Sequence, residues 1–344
     1  MKTQYANAVT QYENGTSLGG RIIKEGGLVV FPTETVYGLG ANGLNSEAVL
    51  KIFAAKGRPA DNPLILHIAK KSELKPLWSH VPDNARILAD TFWPGPLTMI
   101  FNRSSIVPDE VTAGLDTVAV RMPLNKTARA LINAAGVPIA APSANLSGKP
   151  SPTTAEHVRQ DMDGRVDLII DGGPCKYGLE STVVSLIGRP TILRPGAVTK
   201  EMLEAMIGPV DVAHAVLSPL REGETAASPG MKYRHYAPDA EVVVAEGRER
   251  EIAAKICREY DAREAAGEDC IIFATKQTQP FYRGRNCVII GDRTEPATLC
   301  ASLFYSLREY GGRADVIFAE ALPNDDMGLA YMNRLLRSAG FNII

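Results

Sequence analysis

Residues 31–66 read FPTETVYGLGANGLNSEAVLKIFAAKGRPADNPLIL. Two polar knots bracket the stretch: Pro32, Thr33, Glu34 and Thr35 with Tyr37 and Gly38, and Lys56, Gly57, Arg58 and Pro59 with Asn62 and Pro63. Between them the pattern is helical. Asn45, Ser46 and Glu47 have the composition of an N-cap, and Val49, Leu50 and Phe53 form an apolar stripe. Apolar, strand-like runs flank the stretch, GLVVF at 27–31 and PLILHI at 63–68. A third knot, Ala141, Pro142, Ser143, Ala144 and Asn145, ends the run VPIAAPSAN. Strand ends leading into Gly/Pro turns are where α/β proteins carry their binding groups. Two cations, several hydroxyls and tight glycines point to a phosphorylated, anionic ligand.

The strand and helix alternation extends outward on both sides. Further strands are predicted at 97–101, 117–122, 137–141, 167–170, 182–186 and 191–193, with helices at 83–92 and 125–135 and one opened by Thr199. The runs 181–187 and 191–194, joined by Gly188, Arg189 and Pro190, read as a hairpin. The expected sheet is therefore mixed rather than purely parallel. Between about Val212 and Pro238 the periodicity fails in a segment rich in Pro, Gly, Ser and charge. Beyond it, short β-branched runs at 241–245, 270–274, 288–290 and 316–319 alternate with helical patterns at 249–265 and 296–310, and a last helix runs near 326–338. That rhythm predicts a smaller Rossmann-like βαβ domain with a parallel sheet. No G-x-G-x-x-G follows its first strand, so no dinucleotide is indicated. The expected division is 1–211 for a catalytic domain, 212–239 for a linker or lid over the site, and 240–344 for the second domain.

Bulk properties narrow the function class. The 344 residues carry a net charge of -2, 45% hydrophobic and 22% charged residues. A protein that holds nucleic acid chiefly by its phosphates is usually strongly basic, so bulk RNA or DNA binding is disfavoured. No apolar run approaches the ~20 residues of a membrane span. The N-terminus MKTQYANAVTQYENG lacks an apolar signal region, and a cytoplasmic protein is expected. The five cysteines, Cys175, Cys257, Cys270, Cys287 and Cys300, fit no zinc spacing and read as reduced, small apolar residues.

Each candidate site group has a plainer alternative. Lys56 and Arg58 complement a helix C-terminus, yet the rigid turn around Gly57 and Pro59 suits a triphosphate clamp. Ser143 and Asn145 are ordinary turn residues, or donors to a phosphate or adenine. Ser147, Gly148, Lys149, Pro150 and Ser151 prolong that polar loop, which is not a P-loop. In the strand TVAVRMP, Val118 and Val120 face one way and Thr117, Ala119 and Arg121 the other. Arg121 is then either paired internally or grips a ligand carboxylate. His67 points away from Leu66 and Ile68 and has no nucleophile partner for a triad. Glu34 reads as general base, magnesium ligand or network member. Glu180, Ser181 and Thr182 form a second hydroxyl cluster or a plain turn. The run Lys232, Tyr233, Arg234, His235, Tyr236, Ala237 and Pro238 is a solvated linker or a docking strip.

Together PTETVYGLG, KGRP with NPL, WPGPLT, APSAN and SPGMKYRHYAP resemble the threonylcarbamoyl-adenylate synthase family, with the YrdC-type fold, in its longer two-domain form. The resemblance covers nearly the whole chain, with no departure at a motif position. Its Lys-x-Arg and Ser-x-Asn signature is matched by Lys56, Arg58, Ser143 and Asn145. It implies synthesis of L-threonylcarbamoyladenylate from L-threonine, bicarbonate and ATP, with release of pyrophosphate, for modification of the tRNA adenosine beside the anticodon by a separate transferase. It implies L-threonine bound by Thr35, His67, Arg121, Ala141 and Ser181. ATP falls to Lys56, Arg58, Asn62, Thr117, Ser143, Asn145, Ser151, Arg194 and Tyr236, with Lys56 and Arg58 also catalytic. Magnesium (Mg2+) would accompany the triphosphate, with no metal ligated by the protein itself.

Two further readings use the same fold. One is a double-stranded RNA or tRNA-binding module, against which the net charge speaks. The other is an O-carbamoyl transferase of the kind found in hydrogenase maturation, whose chains carry zinc-finger cysteines absent from this one.

Overall fold

A computed structural model describes residues 2–8, 10–218 and 236–344 of the chain. In chain order its elements begin β1 (Gln4–Asn7), α1 (Tyr12–Lys24), β2 (Val29–Phe31), β3 (Gly38–Asn42), α2 (Ser46–Lys56), β4 (Ile65–His67) and α3 (Asp83–Phe92). There follow β5 (Leu97–Asn102), α4 (Asp109–Thr112), β6 (Thr117–Arg121), α5 (Lys126–Ala135), β7 (Ile139–Ala140), α6 (Ala155–Met162), β8 (Leu168–Asp171), β9 (Thr182–Ser185), β10 (Thr191–Arg194), α7 (Lys200–Ile207) and β11 (Asp211–Val212). The chain ends with β12 (Glu241–Ala245), α8 (Glu249–Ala265), β13 (Cys270–Thr275), β14 (Cys287–Gly291), α9 (Pro296–Tyr310), β15 (Val316–Glu320) and α10 (Asp326–Ser338).

The described residues pack as two units. One draws on Met1–Ser147 and Ser151–Lys232, the other on Gly148–Pro150 and Tyr233–Ile344. The expected lid falls mainly on residues 219–235, which lie outside the described residues. Val212, where the expected lid begins, is still regular, because β11 pairs with β10 through Ile192 and Val212.

The first unit is built on a sheet ordered β1-β8-β2-β3-β7-β4-β6-β5-β9-β10-β11. Its pairings are mixed: β4 runs parallel to β6 and β5 to β9, while β5/β6, β4/β7 and β9/β10 are antiparallel. The mixed sheet and the hairpin are therefore as expected. Alternation along the strands sorts the side chains by face. Leu66, Val118, Val120 and Val184 join the main core with Ile52, Phe53, Trp78 and Leu88. Ile65, Ala119, Ile100 and Val183 form a small separate cluster on the other side of the same strands.

The local reasons are legible. Asn45 caps α2 by accepting from the Ala48 N–H at 3.1 Å. Gly57 ends the helix in the left-handed region at φ 60°, which any side chain would strain. The expected apolar stripe needs one correction: Leu50 is 46% exposed, and Val49, Ile52 and Phe53 face the core instead. Leu50 is one residue, about 100°, round the helix from Val49.

Six elements of this unit were not foreseen: β1, α1, β3, α4, α6 and β11. α1 carries Gly15, Gly19 and Gly20 on its buried side. A Cβ on Gly20 would come within 2.5 Å of Ala134 Cβ, so the glycines let α1 lie close against α5. The strand β3, GLGAN, has the composition of a turn but is paired on both sides.

In the second unit β12, β15, β13 and β14 form an all-parallel sheet in that order. This matches the expected Rossmann-like pattern. Leu299, Leu303 and Leu307 are the buried stripe of α9, as their spacing predicts. Among the described residues no helix is long and apolar enough to cross a membrane.

Candidate active site

Strand register sets out the first row of polar groups. His67 on β4 and Thr98 on β5 both pair with Arg121 on β6. All three sit on the side of the sheet away from the main core, one step along from the Ile65, Ala119 and Ile100 cluster. The sequence left Arg121 between an internal partner and a ligand grip. It has the internal partner. Its Nη2 donates to Glu34 Oε1 at 2.6 Å, its Nη1 to Thr35 Oγ1 at 2.9 Å and its Nε to the Gly95 carbonyl at 3.3 Å. Both members of the ion pair are buried, at 4% and 5% side-chain exposure.

A second group adjoins Thr98. Its hydroxyl lies 2.7 Å from that of Ser181, and Arg194 donates to Ser181 Oγ at 3.2 Å and to the Ser181 carbonyl at 3.1 Å. Ser151 donates to Glu180 Oε1 at 2.5 Å. The cluster at 180–182 is thus more than a turn: Ser181 joins β5, β9 and β10 through its side chain. Thr98, which joins this group, was not among the sequence candidates. Its signal was a lone hydroxyl in the apolar run LTMIF, on the same alternation as Ile100.

The third group joins two sequence knots. Lys56, the last residue of α2, is buried, and its Nζ donates to the Ser143 and Asn145 carbonyls at 2.5 and 2.6 Å. Ser143 Oγ donates to Asn145 Oδ1 at 2.5 Å. A bridge between Gly38 and Ser143, with the Ala144 N–H donating to the Tyr37 carbonyl at 2.9 Å, stitches this loop to the Pro32–Gly38 turn. Simple complementarity to the helix end does not describe such a lysine. Arg58 lies over the Phe53 ring, 5.6 Å from its centroid, and donates to the Asn62 carbonyl at 2.8 Å. The Asn62 side chain is fully buried, and neither its oxygen nor its nitrogen has a hydrogen-bond partner. A buried amide left this way normally answers a group that is not protein.

The other candidates are spread further. Thr117 begins β6, at the opposite end from Arg121 and level with Pro63, which precedes β4. Ala141 is buried, and its N–H donates to the Ile65 carbonyl at 3.0 Å. Tyr236 belongs to the second unit. It adopts φ 65° and packs on Phe304 with ring centroids 4.8 Å apart.

Burial and charge fix the protonation states. Burial alone would raise the Glu34 carboxyl, but the Arg121 charge and hydrogen bond and a backbone N–H outweigh it, leaving the pKa lowered. Burial first, and then the Arg121 cation, push His67 down to about 3. His67 is therefore neutral. Its Nδ1 lies 3.2 Å from the Ile65 carbonyl, which can only accept, so the tautomer protonated at Nδ1 is the one that makes this bond. Burial pushes the Cys175 thiol up, away from thiolate. Among the described residues no three His, Cys, Asp or Glu side chains gather where they could hold a metal ion. Such a site can clamp anions and orient a carboxylate, and it offers no activated nucleophile.

A family model described as Telomere recombination (Sua5_yciO_yrdC) matches residues 21–196. A second, described as Threonylcarbamoyl-AMP synthase, C-terminal domain, matches residues 198–340. The threonylcarbamoyl-AMP synthase of Bacillus subtilis (strain 168) is 47% identical over 326 residues, 94% of this chain and 92% of the relative. The chain belongs to the threonylcarbamoyl-AMP synthase family. It is an enzyme of that nucleotidyltransferase class, in the long two-domain form. The Pyrococcus abyssi (strain GE5 / Orsay) synthase is also 47% identical, over 94% of this chain and 93% of its own. A crystal structure of P. abyssi Sua5 complexed with L-threonine superposes with a TM-score of 0.93 at 44% identity, covering 100% of this chain and 99% of the other.

Proposed function

We propose that the synthase makes L-threonylcarbamoyladenylate from L-threonine, bicarbonate and ATP, with release of pyrophosphate, in the first unit. The observation that carries this reading is the buried row His67–Arg121–Thr98 with Thr35 and Ser181 beside it. A fixed guanidinium among hydroxyls and a neutral imidazole matches an amino acid with a carboxylate and a hydroxyl. The P. abyssi relative is known complexed with L-threonine. Arg121 and Thr35 would take the carboxylate, and Ser181 and His67 the hydroxyl, with Ala141 forming part of the wall. Lys56, Arg58, Asn62, Thr117, Ser143, Asn145, Ser151 and Arg194 would take the nucleotide.

The chemistry then follows in two steps. The threonine amine forms an N–C bond to the bicarbonate carbon, losing water, to give a carbamate. A carbamate oxygen attacks the α-phosphorus, and the bond to pyrophosphate breaks. Neither step uses a protein nucleophile. The residues hold the reactants in line and offset the charge developing on phosphate oxygens. Glu34 is taken up by Arg121 and by backbone N–H groups, and Glu180 accepts from Ser151. Neither carboxylate suits a resident metal, so magnesium would arrive bound to the triphosphate as part of the substrate. The product would pass in the cytoplasm to a separate transferase that modifies tRNA adenosine.

Mass spectrometry of the product tests the reading. Purified protein with L-threonine, bicarbonate, ATP and magnesium should yield threonylcarbamoyladenylate, and none when threonine is omitted. A folded, ATP-binding protein that makes no such adenylate would refute it.

A further inference from the structure

Glu34 is a buried carboxylate that adjoins the row through Arg121 and to which the reaction above gives no task. It lies in the turn between β2 and β3, 87 residues from Arg121 in sequence. Its two oxygens divide their work. Oε1 accepts from Arg121 Nη2, and Oε2 accepts from the Leu124 and Asn125 N–H groups at 3.0 and 3.1 Å. Asn125 is also the N-cap of α5, its Oδ1 accepting from Thr127 and Ala128. Glu34 thus ties the Arg121 guanidinium to a fixed helix start. Thr35, the next residue, holds the other Nη, and its hydroxyl is held in turn by Thr33 at 2.8 Å.

This arrangement excludes two of the roles that the sequence left open. A general base needs proton affinity, and here three donors, the Arg121 cation among them, hold the carboxylate in its charged form. A magnesium ligand needs that same charge, which Arg121 already balances. What remains is geometry. A long, flexible arginine binds a carboxylate well only when its planar fork is already aimed, and a buried fork needs a counter-charge to stay there. We infer that Glu34 is a positioning residue, which holds the Arg121 fork in the plane where it receives the carboxylate of the amino-acid substrate. This rests on the reading that Arg121 binds that carboxylate.

The test separates the ligand carboxylate from everything else at the site. Calorimetry gives the affinity of wild type and Glu34→Asp for L-threonine, for L-threoninamide, which lacks the charged carboxylate, and for ATP. Asp keeps the charge but is too short to reach Arg121 and the Leu124 and Asn125 N–H groups together. Glu34→Asp should weaken L-threonine about tenfold or more, while L-threoninamide and ATP stay within about threefold. In an Arg121→Lys background the same change should have no further effect on L-threonine. If Glu34→Asp does not fold, Glu34→Gln replaces it, with the same loss of preference for L-threonine over L-threoninamide expected. Equal weakening of both ligands, unchanged L-threonine affinity, or a fall in kcat at unchanged affinity would each overturn the inference. Wild type that binds no L-threonine would instead overturn the substrate reading beneath it.

Discussion

Each unit of the synthase buries a glutamate against an arginine, and the two pairs serve different ends. In the first, Glu34 meets Arg121 at 2.6 Å. In the second, Glu320 at the end of β15 meets Arg293 at 3.0 Å. Glu320 is the centre of a satisfied set: Thr275, Thr278 and Tyr282 all donate to it, and Arg293 gives Nη2 to the Ala321 carbonyl and turns Nε toward Glu249 at 3.8 Å. The pair of the first unit borders a row of further polar groups, Thr98, Ser181 and His67, and the same unit holds the unanswered Asn62 amide. Among the described residues the second unit has no buried side-chain atom of that kind. A buried ion pair therefore does not mark a site. The buried Asn62 amide, whose oxygen and nitrogen find no hydrogen-bond partner, is the better pointer to the proposed site.

The strongest way to break this comparison is Glu320→Ala. Stripping four donors of their acceptor should cost about 3–5 kcal/mol in urea unfolding. The molecules that remain folded should bind threonine and ATP as wild type does. Loss of ligand binding at full folding would mean that the satisfied set is also functional.

Arg58→Ala should show the opposite profile. Pyrophosphate release should fall about 10²- to 10³-fold, roughly 3–4 kcal/mol in the barrier, while stability changes by less than about 1 kcal/mol. A comparable loss of stability would make Arg58 part of the architecture.

The pH dependence sharpens the picture for His67. Its pKa is depressed in the fold, from 6.5 to about 3, so the unfolded chain takes the proton first. Its contribution is fully present above pH 6.5 and should be lost at roughly 1.4 kcal/mol per pH unit as pH falls toward about 3. His67→Gln should flatten that slope in acid-unfolding curves. Threonine affinity should show no titration of His67 between about pH 6 and 8.

Asn62→Leu is the smallest effect. Removing an unanswered buried amide should leave the ligand-free protein equal or about 1 kcal/mol more stable, while ATP affinity falls about tenfold. A clear loss of stability would show that the amide serves the fold.

What could be read from the sequence divides along the same line. The helices of the second unit lie at Glu249–Ala265, Pro296–Tyr310 and Asp326–Ser338, the first two as the sequence bounds them and the last near the expected place, because apolar spacing is regular there. Its polar centre went unseen, since Thr275, Thr278, Tyr282, Arg293 and Glu320 form no local motif. The first unit gave the reverse. Its knots announced a site, and Lys56, Ser143 and Asn145 do meet, as do Thr35 and Arg121. Yet α1 and β3 were hidden, because glycines chosen for close packing look like loop. The partner of Arg121 was also beyond reach, since strand pattern gives the face of a residue and not what it meets there.

The most direct measurement of the central claim is pyrophosphate release from ATP by the whole protein, with threonine and bicarbonate added singly and together, in wild type and Lys56→Ala. The account predicts release only with both present, and near-complete loss in Lys56→Ala. Threonine-independent release, or full release in Lys56→Ala, would contradict it.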